Sequence, residues 1–336
     1  MLHISSAQRA IYSRDEYQTM LQVGMDVDWA KTNHGRKYAV KSRNSSVNVP
    51  LIFKERGLSH VRIRVAEYDL TAAHEKTGMN LLDEIEKLVD ECLAADLIPI
   101  VAFQAEGFKT DPTSEAEAIR VVNWWQSVAT RLEARDYRLS YNLIIETTED
   151  VRFHNDRLNE LYQNITDAIR ATDEHRILII APNKISSPFE LKDLVVPDDE
   201  YVMVEWHFYA AGPQRDNPRR QWTTGTNSEQ ELVLEKVRVA HEWSVVKGIP
   251  TWVGAWMASN YNKDGGGSSE GYPTGGDYTI AEQQVFAEFM SRTLQDYDIP
   301  HAVNSDTKFY DRQANAWFPE MEALLDIIVR DYDARR

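Results

Sequence analysis

Short apolar runs alternate with longer amphipathic stretches along the chain. Several of the runs are continuously apolar, such as Ile98–Phe103 and Ile177–Ala181, which is typical of parallel strands buried on both faces. The strands predicted in this way are Val23–Val27, His60–Val65, Ile98–Phe103, Tyr141–Ile145, Ile177–Ala181, Tyr201–His207, Thr251–Ala255 and His301–Asn304.

The stretches between these strands carry apolar residues at spacings of three and four, which is the period of an amphipathic helix. The predicted helices are Leu81–Ala95, Ala116–Arg135, Asn155–Thr172, Ser228–Lys247, Ile280–Asp296 and Pro319–Asp333. Strands and helices alternating over 336 residues predict one (β/α)8 TIM barrel, a single domain over residues 1–336. A doubly wound sheet is the competing architecture, but no Gly-rich phosphate-binding turn follows the first strand.

Charge and composition narrow the possible functions. A formal net charge of −16 argues against nucleic-acid binding, because phosphate contacts need a basic surface. A neutral ligand fits this charge better than an anionic one. Hydrophobic residues make up 43% of the chain, but no apolar run approaches the roughly 18 residues of a membrane span. We therefore expect a soluble globular protein that does not associate with membranes.

The single cysteine, Cys92, lies in the apolar run of a predicted helix, so we expect a buried thiol and no intrachain disulfide. The first residues, Met1–Ser6, lack the basic and apolar segments of a signal peptide. A cytoplasmic location stays open beside a secreted or periplasmic one, the latter if a leader has been removed. We expect a monomer.

Candidate catalytic residues follow the strand ends, because active sites of such barrels lie at the carboxyl ends of the strands. Alternation in Val61–Val65 places Arg62 and Arg64 on the interior face. A buried arginine needs a carboxylate partner, either in a structural ion pair or in an active site that the arginine orients. Glu146 directly follows the fourth predicted strand and is a candidate catalytic carboxylate.

The sixth and seventh strands add further chemistry. Glu205, His207 and Tyr209 share one face of the sixth strand. We predict that Tyr209 bonds a carboxylate, that His207 bonds a substrate hydroxyl, and that Glu205 balances Arg62 or Arg64. The seventh strand should supply a second carboxylate, but the residue at its end is Ala255.

At these residues the chain resembles glycoside hydrolase family 5, which contains many cellulases and mannanases. The resemblance extends from about Gly24 to Trp317. It maps Arg62 onto the arginine that contacts the nucleophile and Glu146 onto the acid/base. It maps His207 and Tyr209 onto the family's His-x-Tyr, and Gly254-Ala255-Trp256 onto its Gly-Glu-Phe/Trp nucleophile segment. Ala255 therefore occupies the nucleophile position.

Four positions depart from the family pattern. Ile145 replaces the Asn before the acid/base, which binds the sugar 2-hydroxyl, and Thr147 replaces the Pro after it. Gln104 stands where the family has a His after the third strand. Asn304 lies in the eighth-strand segment, where the expected Trp has no match.

The resemblance implies contacts with saccharide from aromatic and polar side chains near the strand ends. Alternation gives Trp252 and Trp256 the parity opposite to Ala255. We expect Trp252 to pack against helices, whereas we expect Trp256 to line the cleft already. The candidate substrate-binding residues are Trp29, Gln104, Glu205, Trp222, Trp256, Tyr261 and Asn304.

The resemblance also implies retaining hydrolysis without a metal or organic cofactor, on a neutral β-glucan or oligosaccharide. With Ala255 the covalent glycosyl intermediate cannot form. Our leading hypothesis is a cellulase-type endo-β-glucanase, acting on β-1,4 or mixed-linkage glucan, that lacks its nucleophile. The alternatives are a β-mannanase and a non-catalytic saccharide-binding protein. A further alternative places the catalytic carboxylates at Glu146 and Glu205.

Overall fold

A computed structural model describes residues 9–31, 47–74, 78–208, 222, 224–256 and 280–331. Its eight parallel strands form a closed barrel in chain order, and the last strand pairs with the first. This confirms the predicted (β/α)8 barrel. The strands are β1 Val23–Ala30, β2 His60–Val65, β3 Ile98–Phe103, β4 Ser140–Asn142, β5 Leu178–Ile180, β6 Val202–Phe208, β7 Thr251–Trp256 and β8 His301–Val303.

Helices surround the barrel and begin at polar capping residues. Asn80, Ser114 and Thr226 each accept a hydrogen bond from a backbone N–H in the first turn of the following helix. The helices are α1 Arg14–Leu21, α2 Val49–Glu55, α3 Leu81–Ala94, α4 Glu106–Thr110, α5 Glu115–Leu132, α6 Asn155–Arg170, α7 Asn227–Lys247, α8 Ile280–Asp296, α9 Asp306–Phe309 and α10 Pro319–Ile328.

Smaller elements complete the described chain. They are the 3₁₀ turns Glu149–Phe153 and Pro188–Asp193, the turn Asn183–Ser186, and the short antiparallel pair Tyr310–Asp311 and Ala316–Trp317. Within the ranges given above, no helix combines the length and the apolarity that crossing a bilayer requires.

The predicted fourth strand is longer than the observed β4, which ends at Asn142. The segment after it still bonds both neighbouring strands, because Leu143 N–H donates to Ile179 and Ile145 N–H donates to Phe103. The backbone then turns at Glu146, whose φ of 47° is uncommon for a residue with a side chain. This turn ends the extended segment that follows β4, at the carboxyl end of the barrel.

Helix α1 closes the amino-terminal end of the barrel. Tyr17 and Leu21 on α1 are fully buried and belong to one apolar cluster with the interior side chains. The barrel residues of this cluster are Ile98, Ile100, Ile177, Ile179, Met203, Trp252 and Ala302. The lower half of the barrel is therefore a packed core, and the interior ion pairs lie toward the opposite end.

The predicted orientations of the two tryptophans on β7 are wrong. The pairing of β7 with β6 skips Gly254, so that Val253 faces Trp206 while Ala255 faces His207. One extra residue reverses the alternation beyond it. Trp252 points into the barrel and donates to His60 Nε2 at 3.2 Å, whereas Trp256 points outward and packs on Phe286 of α8.

We expect Leu21→Ala to lower the free energy of unfolding by about 2–5 kcal/mol, because it empties a filled apolar layer. Ile119→Ala on α5 removes a side chain that is 57% exposed and serves as the control, with an expected change of about 0.5 kcal/mol. Urea unfolding of both variants measures the difference. Equal effects at the two positions would mean that α1 does not close the core.

Candidate active site

A buried arginine lies at the centre of the polar end of the barrel. Arg62 on β2 donates from Nε and Nη2 to the two carboxylate oxygens of Asp26 on β1, at 2.8 and 2.6 Å. Its Nη1 donates to Glu205 Oε2 on β6 at 2.7 Å and to Asn142 Oδ1 at 3.2 Å. Arg62, Asp26 and Glu205 are all buried. One carboxylate from the neighbouring strand β1 and one from β6 across the barrel thus compensate the charge of Arg62.

The second interior arginine lies nearer to solvent. Arg64 donates from Nε to Asp28 Oδ1 at 2.8 Å and from Nη1 to Asn304 Oδ1 at 3.0 Å. Burial and the charge of Arg64, in that order, are the main influences on the carboxyl of Asp28, and its pKa is lowered overall. Through its bonds to Asp28 and Asn304, Arg64 joins the ends of β1, β2 and β8.

His207 connects the buried network to Glu146. Its Nδ1 lies 3.3 Å from Glu146 Oε1 and its Nε2 lies 3.3 Å from Glu205 Oε2. Burial lowers the pKa of the imidazole, but the carboxylates of Glu205 and Glu146 outweigh burial and raise it to about 9. At neutral pH the ring is therefore an imidazolium that donates to both carboxylates.

Glu205 is held as a carboxylate. Burial opposes its ionisation, but the positive charges of His207 and Arg62 prevail and lower its pKa. Glu205 is fully buried, so it lies beneath the site and serves the arginine there, not the substrate. The expected balance between Glu205 and an interior arginine is present, with Arg62 as the partner.

A cavity of about 210 Å³ opens at this end of the barrel beside Glu146, whose side chain is 31% exposed. The cavity brings together four of the predicted residues. They are Arg62, Gln104, Glu146 and Asn304. Its walls combine carboxylates, cations and amides, a mixture able to bond sugar hydroxyls as donor and as acceptor.

Lysines that the sequence reasoning missed also line the cavity. Lys109 on α4 is buried, pairs with Glu106 at 2.9 Å and donates to Gln104 Oε1 at 3.3 Å. Lys31, directly after β1, has a lowered pKa because of burial and the nearby charge of Arg64. Neither lysine directly follows one of the predicted strands, which is the position from which the candidates were chosen.

Asp26 and Asp28 were missed although a signal was present. They alternate with Met25 and Val27 in β1, so that parity alone places both on the interior face with the arginines. The first predicted strand, Val23–Val27, therefore contained Asp26, the partner of Arg62, and ended one residue before Asp28, the partner of Arg64. Among the described residues, no group of three or more His, Cys, Asp or Glu side chains is placed to hold a metal ion.

Ala255 lies on the interior face of β7, opposite His207 in the strand pairing, and is fully buried. The preceding Gly254 is required by close packing, because an added Cβ would overlap Glu205 Oε2 and lie 2.9 Å from Arg62 Nη1. The carboxylate of Glu205 thus lies directly against the backbone of β7.

The structure does not bring three of the predicted aromatic residues to the cavity, because their rings are buried elsewhere. Trp29 belongs to β1 and faces outward, where its Nε1 donates to Asp306 at 3.1 Å. Trp222 packs on the α8 residues Phe286 and Phe289. Trp256 also faces α8. The predicted residues Tyr209 and Tyr261 lie outside the described residues.

We expect the protein to lose thermal stability as the pH rises from 7 to 10. The pKa of His207 is about 9 in the folded state, above the roughly 6.5 of an unfolded histidine. Its stabilising proton is therefore present below pH 6.5 and lost as the pH passes about 9. We expect Tm to fall on the order of 5 °C over this interval, less steeply in His207→Gln.

The control is His241→Gln on α7, which should leave the alkaline slope unchanged. His60 is neutral throughout this interval, since burial lowers its pKa to about 4. A slope that is the same in the parent and in His207→Gln would contradict a bound proton on His207.

Comparisons with known proteins agree with this geometry. The family model described as cellulase (glycosyl hydrolase family 5) matches residues 21–293. Endoglucanase H of Acetivibrio thermocellus is 22% identical over 260 residues, which cover 76% of this chain and 28% of that protein. Endoglucanase C of the same organism is 28% identical over 169 residues, 46% of this chain and 47% of the relative. The chain thus spans less than half the length of these curated relatives.

Solved structures share the fold. A broad-specificity endoglucanase from Clostridium longisporum superposes with a TM-score of 0.77 at 16% identity, covering 97% of this chain and all of that one. Endoglucanase Cel5A of Thermotoga maritima has a TM-score of 0.75 at 18% identity, covering 94% and 100%. At such identity the likeness establishes the barrel alone. The family match covers most of the sequence, and the chain belongs to glycosyl hydrolase family 5, the cellulase family.

Proposed function

We propose that this chain is a cellulase-type β-glucan domain with Glu146 as acid/base and residue 255 at the nucleophile position. The observation that carries the proposal is the contact between Glu146 and the His207 imidazolium at the edge of the cavity. A carboxyl at the mouth of a barrel, held by a charged donor and partly open to solvent, suits contact with a glycosidic oxygen. Family membership and the endoglucanase relatives support the same chemistry.

The proposed chemistry is incomplete in this chain. In a retaining hydrolase one carboxyl protonates the leaving glycosidic oxygen, while a second, about 5–5.5 Å away, bonds to the anomeric carbon. Glu146 supplies the first group, and because it accepts from the His207 imidazolium as a carboxylate, it must take up a proton before it can act as the acid. The methyl of Ala255 cannot form the bond to carbon, so the double displacement has no covalent intermediate. We therefore propose that the chain binds saccharide and does not turn it over by this route.

For the substrate we propose a neutral β-1,4 or mixed-linkage glucan. Support comes from the endoglucanase relatives and from a superposable endo-β-1,4-glucanase solved with its substrate. A β-mannan is the second candidate, because Cel5A of Thermotoga maritima has been solved with mannotriose. In both cases a neutral polymer fits the net charge of −16 better than an acidic one.

A purely saccharide-binding role is favoured by one specific observation. Asp26 and Glu205 already compensate Arg62, so this buried charge does not depend on residue 255. A site from which a nucleophile had simply been removed would leave its arginine short of a counter-charge. Here the network is complete with alanine in place.

We expect Ala255→Glu to hydrolyse barley β-glucan or carboxymethyl cellulose at least about 100-fold faster than the parent, because it supplies the missing nucleophile. Reducing-sugar release from these two polymers, laminarin and mannan measures both rate and preference. Adding Glu146→Gln should remove the gain, since the leaving oxygen then receives no proton.

The parent is tested in parallel for binding by affinity electrophoresis in gels containing each polymer. Binding by the parent together with inactivity of Ala255→Glu on all four polymers, alone and combined with Glu205→Gln, would reject the hydrolase assignment and leave the binding role. The absence of binding to any of the polymers would reject both. If Glu205→Gln abolished activity while Glu146→Gln did not, the acid/base assignment would be wrong.

A further inference from the structure

Glu205 lies against the stretch of β7 that contains Gly254 and Ala255. Its Oε2 bonds Arg62 at 2.7 Å and lies so close to β7 that no side chain fits at Gly254. Trp252, two residues earlier, is the pairing partner of Glu205 on β7. A carboxylate therefore already lies against this stretch of β7, although it comes from the neighbouring strand.

Burial destabilises the carboxylate of Glu205, and its hydrogen bonds offset only part of this cost. The side chain is completely buried, and its Oε1 has no hydrogen-bond partner among the described residues. Its other oxygen bonds both Arg62 and His207. Charge compensation of these two cations is what stabilises a carboxylate here.

The charges that face one another around this point are balanced. Four carboxylates meet four cations at the carboxyl ends of β1, β2, β4 and β6. The carboxylates are Asp26, Asp28, Glu146 and Glu205, and the cations are Lys31, Arg62, Arg64 and His207. A carboxylate introduced at residue 255, opposite His207, would be a fifth negative charge, and among the described residues each of these four cations already faces a carboxylate.

We propose that Glu205 is a positioning residue that substitutes for a β7 carboxylate, so that a carboxylate at residue 255 is fully accommodated only when the charge of Glu205 is removed. The inference rests on the proposed function for its consequence in catalysis. Its structural part, the exclusion of one carboxylate by the other, depends only on the contacts of Glu205.

The test is a double-mutant cycle with Glu205→Gln and Ala255→Glu, followed by thermal unfolding. Each single change should lower Tm on the order of 5 °C or more, one by removing a counter-charge and the other by adding an unbalanced one. The double variant keeps four carboxylates, so its Tm should lie well above the value that the sum of the two single losses would give. Additive losses would overturn the proposal.

The matched control replaces Ala255→Glu by Ala255→Gln in the same cycle. Glutamine has the same shape without the charge, so we expect no recovery when it is combined with Glu205→Gln. Equal recovery with Glu and Gln at residue 255 would show that space, not charge, couples the two positions, and would also overturn the proposal. Glu205→Ala repeats the cycle if Glu205→Gln folds poorly.

Two further measurements separate a positioning role from a merely structural one. The NMR titration of the His207 ring, identified by its absence in His207→Gln, should show a midpoint below about 9 in Glu205→Gln. The double variant should hydrolyse β-glucan at least about tenfold faster than Ala255→Glu alone. An unchanged midpoint in Glu205→Gln would contradict the role of Glu205.

The outcomes distinguish this inference from the proposed function. If the Tm losses are not additive but no variant hydrolyses glucan, the substitution of Glu205 for a β7 carboxylate is supported and the hydrolase assignment fails. If Ala255→Glu is active and the Tm losses are additive, the hydrolase assignment is supported and the substitution of Glu205 for a β7 carboxylate is rejected.

Discussion

The charge of Arg62 in the barrel interior is the constraint on which the polar end of the structure depends. A guanidinium this deeply buried is tolerated only when carboxylates surround it at hydrogen-bonding distance. Asp26 supplies one from β1 and Glu205 supplies another from β6. Glu205 in turn holds the proton on His207, and His207 bonds Glu146 at the cavity. The orientation of Glu146 thus derives from a residue that never meets solvent.

This arrangement separates the two halves of the barrel. Helix α1 and the interior isoleucines fill the amino-terminal half, where apolar side chains pack closely. The carboxyl half contains ion pairs whose members come from four strands. Because each ion pair joins two strands, a change at one position is felt by its neighbours. Whether residue 255 can carry a carboxylate therefore depends on the whole network and not on β7 alone.

Much of the architecture could be read from periodicity. Continuous apolar runs and helical spacing predicted all eight strands and the barrel, because burial on both faces leaves a strong pattern. Strand-end position also selected Arg62, Glu146 and His207 correctly as neighbours. The tryptophans were placed wrongly. A single extra residue at Gly254 reverses the parity of β7 at Trp252, and a glycine inside a strand is itself a sign of a bulge. Trp256 has the outward parity that alternation from Ala255 gives it.

The sequence by itself therefore determined the fold, the family and the residue types at the strand ends, because these follow from local periodicity and from order along the chain. Only the tertiary structure decided which carboxylate compensates which cation. Those pairings join residues such as Arg62 and Glu205, which are distant in the chain, and they depend on register and on distances of about 3 Å. Alternation marked Glu205 as interior, but closure of the barrel gave it Arg62 and placed it against β7, beside Ala255.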